Sequence, residues 1–191
     1  MDEPLWAFEY SVESDATPHF AWTYWTNVAN WVDAPATFEL DGPFAPGSRI
    51  TTTIPGQRPW HSIIRDVGVV ADRTAIIEIE LPGATLRCQW SFDEVTGNRT
   101  RITQRLTLIG ENAGAFVKEV ASRFEPNVPQ GMTKLAAIIA RAEASATHNE
   151  TGDAGTGSPR AHRAPAATEA VAAAYRSTPS SVGPTKADEH R

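Results

Sequence analysis

The sequence predicts an α+β fold: about seven antiparallel strands packed against one long helix that follows them. Three stretches carry that expectation. From Ala36 to about Leu108 short alternating runs are separated by turn residues, with no room between them for crossover helices, so the strands must pair antiparallel. From Asn112 to Ser145 apolar residues recur at helical spacing. Between Thr17 and Val32, before the strand-rich region, lie two short helical segments carrying Trp22, Trp25 and Trp31.

Trp6, Phe8 and Tyr10 alternate with Ala7, Glu9 and Ser11, a period of two that makes the first strand. Asp15 to Pro18 ends it. Thr17-Pro18 is a helix start, the threonine capping and the proline occupying the first helical position, where its missing N–H costs nothing. Ala21, Trp22, Trp25 and Val28 share a face, and a second turn from Asn27 to Val32 runs up to Pro35. The later strands are expected over Thr37 to Asp41, Arg49 to Ile54, Trp60 to Val67, Thr74 to Leu81, Thr85 to Phe92 and Arg99 to Leu108. Gly42-Pro43, Pro55-Gly56, Pro82-Gly83 and Thr96-Gly97-Asn98 supply turns between them.

In the terminal helix Phe116, Val117, Val120 and Phe124 form one apolar stripe, continued by Met132, Leu135, Ala136 and Ile139. Asn112 is placed to cap the first N–H groups, and Glu119 with Arg123 makes an i,i+4 pair. Pro126, Pro129 and Gly131 interrupt the pattern. A proline in a helix interior removes a hydrogen bond and crowds the preceding turn, at about 3 kcal/mol. A kink or break is therefore expected between Glu125 and Gly131. After Ser145 the composition shifts to Ala, Thr, Ser, Pro and Gly, with too little apolar surface to offset the entropy of ordering, so residues 146–191 are expected to be a disordered tail and residues 1–145 a single domain.

The chain has 191 residues and a net charge of −6, with a pI near 5.4. That charge argues against binding a nucleic-acid backbone, which calls for a basic stripe that is absent here. The start, MDEPLW, is acidic and leads into no apolar run of signal-peptide length. No segment has the roughly 20 apolar residues of a membrane span, so a cytoplasmic location is expected. Cys88 is the single cysteine, which excludes an internal disulfide and a cysteine-rich metal site. Of the five histidines only His19 and His61 fall in the folded part, and neither sits in a ligand-spaced motif, so neither metal nor cofactor is part of this reading.

The order of elements resembles the helix-grip fold of the START-like superfamily (SRPBCC). That group includes polyketide cyclases and dehydratases, Bet v 1-type proteins, lipid-transfer domains and Aha1-type co-chaperone domains. The tryptophan-bearing FAWTYWTNVANW, then FELDGPFAPGSRIT, then ATLRCQWSFDEVTGNRTRITQRLTL are similar to bacterial polyketide cyclase/dehydrase-like members, over about Leu5 to Ala144. The resemblance implies a curved sheet wrapped around the last helix with a cavity between them, and no catalytic motif comes with it. The paired prolines depart from an uninterrupted last helix.

Such a cavity is expected to hold a small hydrophobic or aromatic ligand. Strand parity nominates its walls. Leu86, Cys88, Trp90 and Phe92 share one face; on the next strand Ile102, Gln104, Leu106 and Leu108 do so, with Gln104 the polar member that needs a partner, from protein, water or ligand. Trp22, Trp25 and Trp60 are aromatic candidates for the mouth or wall, against the alternative of plain core packing, and Phe124, Met132 and Leu135 are candidates from the helix. Trp60, Ser62 and Ile64 face one way and His61, Ile63 and Arg65 the other, and parity alone leaves open which face is inner. If His61 and Arg65 point inward they are the acid/base and anion partners of a cyclase, aromatase or dehydratase, with Gln104 assisting. An interaction module acting through its surface is the third reading. Cys88 reads as a small buried hydrophobe rather than a nucleophile.

Overall fold

The computed structural model describes residues 3–31, 35–68 and 73–152. Their elements run β1 (Trp6–Ser14), α1 (Pro18–Thr26), a 3₁₀ turn (Val28–Asn30), β2 (Thr37–Asp41), β3 (Arg49–Thr53), β4 (Trp60–Val67) and β5 (Thr74–Leu81). There follow β6 (Ala84–Val95), β7 (Arg99–Ile109), a second 3₁₀ turn (Ala113–Ala115) and α2 (Val117–Gly152). The sheet is seven-stranded in the order β1-β7-β6-β5-β4-β3-β2, and all its pairs are antiparallel. Hairpins account for every neighbouring pair except β1 with β7, which brings the first and last strands side by side. None of the helices among the described residues is long and apolar enough to cross a membrane.

Thr17 caps α1, its hydroxyl accepting from the Phe20 N–H at 3.2 Å, with Pro18 in the first turn. The alternation of β6 and β7 sends Leu86, Cys88, Trp90 and Phe92, and Ile102, Gln104, Leu106 and Leu108, into the interior. Trp25 is the hub of an aromatic cluster, its ring 5.0 Å from that of Trp90, 5.3 Å from Phe92 and 5.6 Å from Trp31.

Three features of α2 differ from the sequence expectation. Asn112 makes no cap. Its side chain instead donates to the Pro82 carbonyl at 2.9 Å, and its backbone N–H donates to the Gly83 carbonyl at 2.9 Å, pinning the approach to the helix onto the β5–β6 turn. Gly110 makes this junction possible, because a Cβ there would lie 2.8 Å from the Gly83 carbonyl oxygen. The break expected at Glu125 to Gly131 is absent, and α2 runs unbroken through Pro126 and Pro129. The missing N–H groups would have met the carbonyls of Ser122 and Glu125, two exposed residues whose carbonyls have water at hand. Nearby, the Asn127 side-chain amide donates to the Arg123 carbonyl at 2.6 Å. The helix also continues beyond Ser145 to Gly152, so the start of the expected tail is helical; residues 153–191 lie outside the described residues.

The helix is fastened at one side of the sheet. Trp6 Nε1 donates to Glu125 Oε1 at 3.1 Å and the buried Ser14 hydroxyl to the Ala136 carbonyl at 2.8 Å, while the Thr17 N–H donates to Glu143 at 2.9 Å. With the pin at Asn112, these bonds seat α2 over β1, β7 and α1. They leave its first turns spanning the space in front of β4, β5 and β6.

Candidate binding cavity

That space is a cavity of about 320 Å³. Trp60, Ile79, Leu81 and Leu86 wall it on the sheet side, and Phe116, Val120 and Phe124 roof it from α2. Its rim is charged. Glu119 and Arg123 form an ion pair at 2.9 Å one helical turn apart, as their spacing predicts. Partial burial pushes the Arg123 guanidinium below its usual value, and the Glu119 carboxylate opposes that shift.

A second, much smaller chamber of about 20 Å³ shares Phe124 with it and is bordered by Trp31, Phe38, Cys88 and Trp90 and by three polar side chains, Thr52, Ser62 and Gln104. Thr52 and Ser62 come from β3 and β4, Gln104 from β7, so polar groups from opposite limbs of the sheet converge on one point because the sheet curls. Gln104 is 2% exposed, and its Oε1 has no hydrogen-bond partner. The partner that this buried oxygen calls for is not supplied by the protein, at a cost of about 1 to 3 kcal/mol for a buried unsatisfied group. Burial, and secondarily the charge of Glu78, pushes the Cys88 thiol up to about 12, so it sits here as a neutral, weakly polar wall.

Of the residues nominated from the sequence, Trp60, Cys88, Trp90, Gln104 and Phe124 border one chamber or the other. Trp25, Met132 and Leu135 do not: they are buried in the packed core, Trp25 among other rings and the two helix residues under the fastened half of α2. Trp22 is half-buried against Phe44 and Phe92, outside both chambers. His61 touches the rim of the larger cavity, but it belongs to the outer face of β4, where Nδ1 lies 3.0 Å from the Thr51 hydroxyl. Arg65, on the same outer face, binds Glu78 at 2.7 Å and Glu80 at 3.1 Å. The inner face is that of Trp60, Ser62 and Ile64, so His61 and Arg65 do not flank Gln104. Sequence reasoning missed Thr52 and Ser62 as cavity residues; their alternation with exposed neighbours on β3 and β4 is the signal that finds them once the inner face is known. Among the described residues no group of three or more His, Cys, Asp or Glu is arranged to hold a metal ion.

No family model matches the chain, and no curated protein matches it in sequence. Solved structures do share its architecture. Norcoclaurine synthase from Thalictrum flavum, in complex with dopamine and hydroxybenzaldehyde, superposes with a TM-score of 0.52 at 11% identity, over 73% of this chain and 87% of that one. Ara h 8.0201 gives 0.55 at 16% identity, over 73% and 98%. The Zhui aromatase/cyclase from Streptomyces sp. R1128 gives 0.51 at 14% identity, over 77% and 98%. At these identities the likeness is one of fold. The chain carries the helix-grip fold, a seven-stranded antiparallel sheet curled against a long terminal helix.

Proposed function

We propose that this protein binds a small hydrophobic or aromatic molecule between the sheet and the first turns of α2. The observation that carries the reading is the cavity of about 320 Å³, apolar along its walls and charged at its rim. Its size is at the low end for ligand pockets, which suits a molecule of one or two rings rather than a long lipid. Burying some 300 Å² of apolar surface would contribute about 7 kcal/mol at about 25 cal/mol per Å². Association removes roughly 4 kcal/mol or more of that. Apolar contact alone therefore gives weak binding, and useful affinity calls for a polar anchor.

The neighbouring structures are compatible with this. Norcoclaurine synthase holds small aromatic molecules in its complex, and the same fold serves an aromatase/cyclase. A cyclase reading for this chain is weakened rather than removed, because proton transfer needs a titratable group within hydrogen-bond reach of the substrate, and of its first candidates Arg65 does not border the cavity while His61, on the outer face of β4, reaches only its rim. Binding is accordingly the reading preferred here. Native mass spectrometry and tryptophan fluorescence of the full chain, titrated with lipids, polyketides and aromatic acids, test it. Adducts of one-to-one stoichiometry with quenching are expected for compact ring compounds; a chain that takes up none of them refutes it.

A further inference from the structure

The small chamber is walled mostly by apolar side chains, yet Thr52, Ser62 and Gln104 also border it. They are 1%, 4% and 2% exposed, so bulk solvent does not reach them. Other buried polar side chains of the sheet are satisfied within the protein: the Ser14 hydroxyl donates to the Ala136 carbonyl at 2.8 Å and the Thr100 hydroxyl to the Ala16 carbonyl at 2.7 Å. The hydroxyls of Thr52 and Ser62 and the amide of Gln104 have no such partner among the described residues. Gln104 Oε1 is fully enclosed, which leaves Nε2 and the two hydroxyls as the polar atoms open to the chamber. Buried polar groups in folded proteins are nearly always paired, with protein or with ordered water.

One water calls for about 10 to 15 Å³ of space and about two to four polar partners. The chamber offers about 20 Å³ and three, too little room for an organic ligand. An ion is excluded on charge, since among the described residues no charged side chain borders the chamber to offset its lost hydration. Ser62 lies opposite Ile50 and Thr52 opposite Trp60, which makes Thr52 and Ser62 diagonal neighbours, about 7 to 8 Å apart at the backbone. Their hydroxyls therefore reach a shared water more readily than each other. Gln104 comes from β7, with β5 and β6 between it and β4. Its Nε2 can only donate, whereas a hydroxyl donates or accepts, so one water meets all three. An amide turned over would present its oxygen instead, and water satisfies that as well. We propose that the chamber is the site of one long-lived internal water, which accepts from Gln104 Nε2 and bonds the hydroxyls of Thr52 and Ser62. It ties β3 and β4 to β7 across the curl of the sheet. Gln104, a candidate ligand contact on strand parity, then serves this water, and the inference stands apart from the binding reading above.

Oxygen-17 magnetic relaxation dispersion of the full chain tests this, because it counts waters held for longer than the molecule tumbles and is blind to side-chain hydroxyl oxygens, which do not exchange. The unaltered chain is compared with the triple variant Thr52→Val, Ser62→Ala and Gln104→Met, which nearly keeps the shape of the chamber and removes its hydrogen-bonding groups. The dispersion amplitude is expected to fall by the equivalent of one water. A crystal structure of the unaltered chain gives the same test without a variant that has to fold, and is expected to show one water within about 3.2 Å of the Gln104 amide and of both hydroxyls. An amplitude unmoved by the triple substitution overturns the proposal. So does a crystal structure in which Gln104 bonds Thr52 or Ser62 directly, with no water between them. Neither result bears on the larger cavity, which the ring compounds above test separately.

Discussion

The two halves of α2 are built from the same kind of amphipathic sequence and have different surroundings. From Val128 to Ile139 the apolar stripe is buried against the sheet and α1, in a region clamped by the Ser14 and Thr17 bonds. From Val117 to Phe124 the stripe is held at its start by Asn112 and roofs a hollow, with Val117 only partly buried. Burial alone does not separate packing from binding, because Val120 and Phe124 are as much inside as Leu135. What separates them is whether the sheet comes up to meet the helix, and that is decided by tethers at a distance from both.

The sharpest way to break this comparison is truncation on each side. Met132→Ala is expected to destabilise the chain by about 2 to 5 kcal/mol in urea unfolding, the range for opening a cavity in a close-packed core, whereas Val120→Ala, which widens space already present, is expected to cost about 1 kcal/mol. Equal losses would mean that the hollow is no looser than the core. The junction between the halves is the next target. Because α2 runs unbroken through Pro126, Pro126→Ala restores a backbone donor and is expected to raise the unfolding free energy by about 1 to 2 kcal/mol, less than the full helix-interior penalty since the freed carbonyl has water at hand. No gain would point to a break at this site.

A third prediction concerns pH. The Cys88 thiol is raised from its ordinary value of 9.0 to about 12, so between those values the folded chain holds a proton that the unfolded chain releases. Stability is accordingly unaffected by this group below pH 9 and falls as pH rises from 9 toward 12. Cys88→Val is expected to flatten that fall in pH-dependent unfolding. It will not abolish it, because burial also raises the Tyr24 hydroxyl. The smallest effect is expected at the rim. Glu119→Gln breaks an ion pair whose carboxylate is well exposed, and should change stability by less than about 0.5 kcal/mol.

Much of the fold was legible because its cues are local. Trp60–Val67 and Thr74–Leu81 follow from alternation bounded by turn residues, and α1 follows from Thr17-Pro18. The prolines misled for an equally local reason: the rule that a proline breaks a helix assumes that the orphaned carbonyl has nowhere to turn, and here the two residues concerned are exposed. Parity correctly put Cys88, Trp90 and Gln104 on inner faces, yet could not orient β4, where each face holds both apolar and polar residues; that is resolved by pairing, Ser62 lying opposite the buried Ile50. Nor could it distinguish Met132 and Leu135 from Phe124 as cavity walls. That difference comes from contacts of Asn112 with Pro82 and of Ser14 with Ala136, which join residues far apart in the chain and carry no periodic signature.

The central claim is that the hollow lies under the first turns of α2 and accepts a ligand there. Chemical-shift mapping of the isotope-labelled full chain during titration with 2-naphthol tests it most directly. The account predicts saturable shifts centred on Trp60, Leu86, Phe116 and Val120, with Met132, Leu135 and Ile139 unmoved. Shifts centred on Met132 to Ile139 or on Trp22 and Trp25, or none at saturating probe, would contradict it.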